Sequence, residues 1–419
     1  MADSASAADQ DTLSPAPGLR TVLAPLSAMT AVQALVSVAA ITLAVLAVPA
    51  SKDIGADPRL VGTFTSILFL VAVVAAAVGG GLVGRFGGIR VNQACVTFSV
   101  VGLLLILTAW LPLVALAAIA FGCSMGPSTP ASTHILARRT PSNLLAFVLS
   151  IKQTGGSFGH FVAGITIPPL VLLVGWRGGV VAVVVVCVLL ILALQPLRRR
   201  YDDDARATAD AGKSGRNVLA GLKLVFSDSD LRLLTISAFV YCATQVALTY
   251  YFVVFLTEQA AFDLVTAGRG LSIATISGVI ARMALAFVTD RGWVAPRVML
   301  ALLGISMLAA CLMLYAITPD WHPALVYLLS FYVGASTMTW SGILLADMVR
   351  GVPERQISLA TGGAFSFMFM GAVAGPALFG ALVSATGSYT TGLFILGVAP
   401  FVFGLLILFL RPRPATDSP

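Results

Sequence analysis

Twelve stretches of roughly 20 largely apolar residues, each long enough to cross a bilayer, follow one another almost without pause. They lie near 22–49, 60–83, 92–109, 112–137, 145–174, 178–197, 233–257, 267–289, 298–317, 323–347, 357–385 and 390–410. Lipid offers backbone N–H and C=O groups no partner, so segments of this kind must be helices that satisfy their own hydrogen bonds. Hydrophobic side chains make up 58% of the 419 residues and charged ones 10%, against roughly 25% charged in a soluble domain. The chain is therefore read as an all-α membrane protein with 12 transmembrane helices. The third and fourth stretches are parted only by Trp110, Leu111 and Pro112, but together they are too long for one crossing.

A second feature is internal duplication. Gly122, Arg138, Pro141 and Gly159 recur, in type and spacing, as Gly334, Arg350, Pro353 and Gly371, 212 residues later. The same offset takes Gln33 onto Gln245. Repeated helical halves that face each other are the plan of alternating-access carriers, with the ligand between the halves. The expected organisation is two pseudo-symmetric six-helix halves, 21–197 and 231–411, joined by the polar segment 198–230. Residues 1–20 and 412–419 read as cytoplasmic tails, the first disordered and without the basic start and apolar core of a secretory signal. Val218 to Phe226 has the spacing of a short amphipathic helix that could lie on the membrane surface. A plain linker is the other reading of that stretch.

The net charge of +7 is a matter of topology. Of 25 Lys and Arg, four (Lys52, Arg59, Arg177, Arg269) fall on one side of the twelve crossings and two (Lys152, Arg282) lie within them. The remaining 19 fall on the side of the amino terminus, the bias of a cytoplasmic face. Both termini are then cytoplasmic, and nucleic acid is not an expected partner. The short loops leave no room for a soluble catalytic domain. No glycine-rich loop runs into Lys-Ser or Lys-Thr to hold ATP. The five cysteines stand singly and three histidines complete the inventory, so neither metal nor other cofactor nor enzymatic chemistry is expected.

Between the second and third stretches stands Gly80-Gly-Leu-Val-Gly-Arg-Phe-Gly-Gly-Ile-Arg90, and after the eighth comes Ala281-Arg-Met-Ala-Leu-Ala-Phe-Val-Thr-Asp-Arg291. Both resemble the cytoplasmic signature of the major facilitator superfamily, a Gly-rich helix end running into Asp-Arg, Gly and further basic residues. The likeness covers roughly residues 20–411. It implies a bacterial 12-helix secondary carrier in the cytoplasmic membrane, with Gly80, Gly84, Arg85, Gly87, Arg90, Asp290 and Arg291 forming a gate. Gly84 stands where the family has Asp, so Asp290-Arg291 is the better-formed copy. The fifth helix, with Gly155 and Gly159, resembles that of bacterial uptake and exchange members. The eleventh, with Gly371, Gly375 and Pro376, resembles the family's Gly-Pro helix. Small residues four apart give a smooth packing face, and packing without substrate contact is favoured over a substrate role for these glycines.

Charge buried in a bilayer costs at least a few kcal/mol and usually faces a cavity. Arg282 is expected either to hold a substrate or to tie backbone carbonyls. Lys152 either faces the cavity or snorkels toward the basic side. Arg282 is similar to the eighth-helix arginine of carboxylate-carrying branches of the superfamily, and its forked donors suit a carboxylate. Glu258, Asp290 and Asp347 all read as helix-end residues, which leaves no acid deep in any crossing. Gln33, Gln245, His160 and Tyr241 complete the expected substrate-binding set. Tyr250, Tyr251 and Trp340 are candidates for an aromatic wall or for the core. His160 could carry a proton or be a packed residue. The reading is a monomeric carrier of a small organic anion in the lipid bilayer, working by proton symport or anion exchange. An exporter of drug-like compounds and a non-transporting sensor or scaffold on the same fold are the alternatives.

Overall fold

The computed structural model describes residues 19–140, 142–202, 218–350, 352 and 354–409. Pro141, Pro353, linker residues 203–217 and most of both tails lie outside the described residues, as do the side chains of Asp290 and Arg350. Helix follows helix: α1 (Leu19–Ile54), α2 (Val61–Phe86), α3 (Gly88–Leu107), α4 (Leu111–Arg139), α5 (Ser142–Tyr201), α6 (Val218–Ser227) and α7 (Ser229–Val254). Then come α8 (Leu264–Asp290), α9 (Pro296–Tyr315), α10 (Pro323–Thr337), α11 (Trp340–Arg350), α12 (Glu354–Thr386) and α13 (Tyr389–Leu408).

Among the described residues 11 helical segments are long and apolar enough to cross a membrane, and one of them, Ile151–Arg198, has 48 residues. At about 1.5 Å per residue that is about 70 Å, over twice the hydrocarbon thickness. The excess is resolved at Gly175, whose φ of 73° and ψ of 169° break α5 into two crossings, 142–174 and 176–201. The tenth crossing is α10 continued by α11 after an interruption at Met338 and Thr339. With α12 and α13 the crossings number twelve. Local chemistry sets the ends. Asp228 accepts from the N–H groups of Asp230 and Leu231 at the start of α7, and Asp263 from those of Val265 and Thr266 at the start of α8, each a carboxylate on otherwise orphaned donors. Ala109, with φ of 53°, turns the chain between the third and fourth crossings.

The duplication reappears as packing. The fourth crossing lies on the second and the tenth on the eighth; the fifth lies on the first and the eleventh on the seventh. Glycines make each approach. A Cβ on Gly122 would strike the Leu68 carbonyl oxygen, and one on Gly334 the Ala274 carbonyl oxygen. Gly159 lies on the Ala34 carbonyl and Gly371 on the Phe239 carbonyl. The fourth and fifth crossings thus keep the 212-residue offset, while the first two differ by 205 (Ala34 to Phe239) and 206 (Leu68 to Ala274). The second half has about six extra residues between its second and fourth crossings. By packing, Gln33 corresponds to Ala238, so its match with Gln245 is not a structural equivalence.

A helix does occupy 218–227, but its apolar side is covered by protein. Gly221 lies against Gly363 of α12, Val225 is fully buried, and Phe226 and Phe239 both pack on Phe367 at 5.1 and 5.3 Å. The paired glycines let α6 approach α12 closely enough to bury that side, so it is not left for the membrane surface.

Candidate functional site

The face at which α1 begins carries most of the Lys and Arg and is called the basic face. The named contacts between the two halves lie toward the opposite one. In the first turn of α2, the Gly62 N–H donates to the Tyr251 hydroxyl at 3.0 Å, and that hydroxyl donates to the Arg59 carbonyl at 2.6 Å. A Cβ on Gly62 would overlap both Tyr251 and the Pro376 carbonyl. The Arg59 guanidinium stands over the Tyr389 ring at 5.7 Å, and Tyr389 donates to Glu258 at 2.8 Å. A second seam joins α5 to α8. There Gly164 and Gly268 meet backbone to backbone, and Ser272 donates to the Phe161 carbonyl at 2.8 Å. These contacts join the two halves toward the opposite face.

Deeper in the seam, the rings of His160 in α5 and Tyr250 in α7 meet edge to face at 6.1 Å, and Phe69 of α2 meets Tyr250 at 5.9 Å. Gln33 of α1 lies one turn away along α5, where its side chain borders Gly155 and Gly156. Buried polar atoms normally find partners, and an orphan costs about 1–3 kcal/mol. Thr30 Oγ1, Gln33 Oε1, Ser66 Oγ, His160 Nε2 and the Tyr250 hydroxyl have none among the described residues. Gln245 is engaged, its Oε1 accepting from Trp340 Nε1 at 3.0 Å. Tyr241 turns into its own half, where its hydroxyl donates to the Leu300 carbonyl at 2.8 Å and it packs on Trp340. Of the expected polar set, Gln33 and His160 are brought together; Tyr241 is held apart by that bond.

The two in-span cations have different settings. Lys152 is 1% exposed, yet among the described residues its Nζ meets only neutral oxygens, Gln153 Oε1 at 3.2 Å and Thr129 Oγ1 at 3.5 Å. Its repeat counterpart, Ala364, lines a small apolar groove with Trp340 and Met368. Arg282 lays Nε (3.1 Å) and one Nη (2.6 Å) on the Met338 carbonyl, the acceptor freed where the tenth crossing is interrupted. In the first half the corresponding positions are Ala76 and Gly126, which touch backbone to backbone. Among the described residues neither Lys152 nor Arg282 has a carboxylate within ion-pair distance.

On the basic face, Gly80 and Gly84 fall in the last two turns of α2, and Arg85 stands beside the Phe86 ring at 5.1 Å. Gly87, with φ of 91°, turns the chain into α3. Beside this turn lies an acid that sequence reasoning did not find. Asp202, just past the end of α5, accepts from the N–H groups of Ile89 (2.8 Å) and Arg90 (3.0 Å), and it sits where a Gly87 side chain would go. Burial raises its carboxyl above the usual range, and those two N–H groups act against the rise. The Asp-Asp-Asp run in the sequence is the only hint of it. The Arg90 side chain is exposed. In the second copy Asp290 ends α8 and Arg291 lies over Phe287 at 4.7 Å. On the same face Arg297 bridges Asp347 (3.1 Å) and Asp230 (3.6 Å). Gly155, Gly159, Gly371 and Gly375 all abut carbonyl oxygens of the first or seventh crossing.

A profile of the Major Facilitator Superfamily matches residues 29–362. The fold is similar to that of the nucleoside transporter NupG, at 15% identity and a TM-score of 0.76, covering 92% of this chain and 99% of that one. It is similar to a D-xylose–proton symporter (14%, 0.71, 93% and 98%). It is also similar to the inward-open xylose transporter XylE from E. coli (15%, 0.69, 95% and 98%). No curated protein matches the chain in sequence. At these identities the structural likeness speaks for the fold alone.

Proposed function

The chain belongs to the major facilitator superfamily of secondary transporters, and from that premise we propose that it carries a small organic anion, with a carboxylate as the natural case. One observation carries the reading: Lys152 and Arg282 both lie within crossings, and among the described residues both meet only neutral oxygens. A buried charge without a counter-charge is costly, and a carboxylate entering between the halves would supply one. Arg282 spends two of its five N–H groups on Met338, leaving the remainder of its fork for a ligand.

With the basic face taken as cytoplasmic, the seam through Tyr251, Gly164 and Gly268 closes the outer side, and this arrangement faces inward. Transport is then a rocking of the two halves that opens this seam and closes the basic side, with the anion bound between them. Uptake into vesicles containing the purified protein tests the reading with a panel of small carboxylates against neutral and cationic compounds. Carboxylate uptake that falls in Lys152→Gln and Arg282→Gln supports it. Selective passage of neutral or cationic compounds, unchanged by both substitutions, would sink it.

A further inference from the structure

The unpartnered groups at the seam carry the reading of the site one step further. Tyr250 is 2% exposed and Ser66 9%, and neither has a partner for its hydroxyl; His160 Nε2, Gln33 Oε1 and Thr30 Oγ1 are likewise unpaired. They come from four crossings in both halves: α1, α2, the first limb of α5, and α7. The His160 and Tyr250 rings touch across the seam, yet no hydrogen bond joins them. The hydroxyls of Thr30, Ser66 and Tyr250 can donate to a carboxylate, but Gln33 Oε1 only accepts, so the carboxylate of a ligand does not answer the whole set. A ligand hydroxyl does. It accepts from a tyrosine O–H while donating to a neutral imidazole nitrogen or an amide oxygen, two needs met by one group.

We propose that the cargo is a polyhydroxylated carboxylate, with its hydroxyls read by Tyr250, His160, Gln33, Thr30 and Ser66, a proposal that rests on the anion reading above. Spacing along α5 agrees with a ligand of several carbons. Lys152 and His160 are eight residues apart, about 12 Å along a helix axis, and the flexible lysine stem shortens the gap a ligand must bridge. A two- or three-carbon acid would leave one end of this set unanswered. Because His160 and Tyr250 belong to different halves, a hydroxyl shared between them also couples occupancy to the rocking of those halves.

Three probes of matched length separate the terms: gluconate bears charge and hydroxyls, hexanoate charge alone, and sorbitol hydroxyls alone. Binding is measured calorimetrically on the purified full-length protein, with vesicle uptake as the second readout. The expected result is gluconate bound at least about tenfold more tightly than hexanoate, roughly the worth of one well-made hydrogen bond at a buried site. Tyr250→Phe should bring the two acids to within about twofold of each other. Equal affinity of gluconate and hexanoate in the wild-type protein, or no binding of gluconate, overturns the proposal. In the first of those results the anion reading stands. Sorbitol bound as tightly as gluconate, with hexanoate silent, overturns the anion reading on which the proposal rests.

Discussion

Arg282 in α8 points two N–H groups at the carbonyl oxygen of Met338, where the tenth crossing is interrupted between α10 and α11. An interrupted helix frees a carbonyl that the bilayer cannot solvate, and a forked cation is well shaped to satisfy it. Arg282→Lys keeps the charge but loses the fork. It should lower stability by about 2 kcal/mol, the scale of a hydrogen bond to a charged group, read as a lower thermal midpoint in detergent. Arg282→Gln should lose carboxylate uptake as well. Unchanged midpoints in both variants would show that Met338 does not depend on this side chain.

Tyr251 ties the first half to the second by accepting from Gly62 and donating to Arg59. Tyr251→Phe removes both bonds and leaves the ring packed on Phe379 at 4.8 Å. The closed seam should weaken by about 1–2 kcal/mol, a shift of roughly 5- to 30-fold in the conformational equilibrium. Alkylation of a cysteine introduced at Ser272, 2% exposed in the closed seam, reports the change. Its rate should rise in the Tyr251→Phe background, and an unaltered rate would show that other contacts hold the seam.

Gly164 leaves no room for a side chain, since its Cβ would lie 2.5 Å from both the Gly268 carbonyl oxygen and Ser272 Oγ. Gly164→Val should therefore hold the α5–α8 seam apart. The protein should still insert and bind ligand from the opposite face, while net uptake is lost. Uptake at the wild-type rate would mean that this seam need not close.

Asp263 gives stability a dependence on acid pH. Burial raises its carboxyl, but bonds from the Thr266 hydroxyl and from the N–H groups of Thr266 and Val265 outweigh that and hold it below the ordinary carboxylate range. A depressed folded-state pKa makes the contribution present above the unfolded value, about 3.9, and removes it as pH falls through the folded value. The stability difference between wild type and Asp263→Asn should thus be present at pH 6 and shrink below about pH 4. A difference that stays constant down to pH 3 would exclude this group as the source.

The crossings are legible in the sequence because lipid imposes a length and an apolarity that no soluble helix must meet. The glycine repeats are legible for a related reason: each marks a carbonyl oxygen too close for a side chain. What escapes sequence reading is whatever depends on register between distant segments. The offset of 205 residues for the first crossing is seven short of the 212 for the fifth, so Gln33 and Gln245 look equivalent although packing places Ala238 at that position. Asp202 holds the N–H groups at the start of α3 from more than a hundred residues away, and beyond the Asp-Asp-Asp run nothing in its local sequence says so. Lys152 and Arg282 are visible as charges, but their partners are not, because Thr129 and a main-chain carbonyl leave no trace in spacing.

Gly175 bears on how the chain enters the bilayer. Its left-handed backbone joins two crossings with almost no intervening loop, so the fifth and sixth form one hairpin whose tip is Trp176 and Arg177. Only a single cation has to be moved to the far interface, where Arg177 meets Asp53 at 3.0 Å and Trp176 donates to the same carboxylate at 3.0 Å. With no polar loop between the arms, the two can cross together and carry only that tip to the far interface. Inserted as one unit, the pair would bring the six crossings of the first half into the bilayer in five steps, a consequence of the break at Gly175.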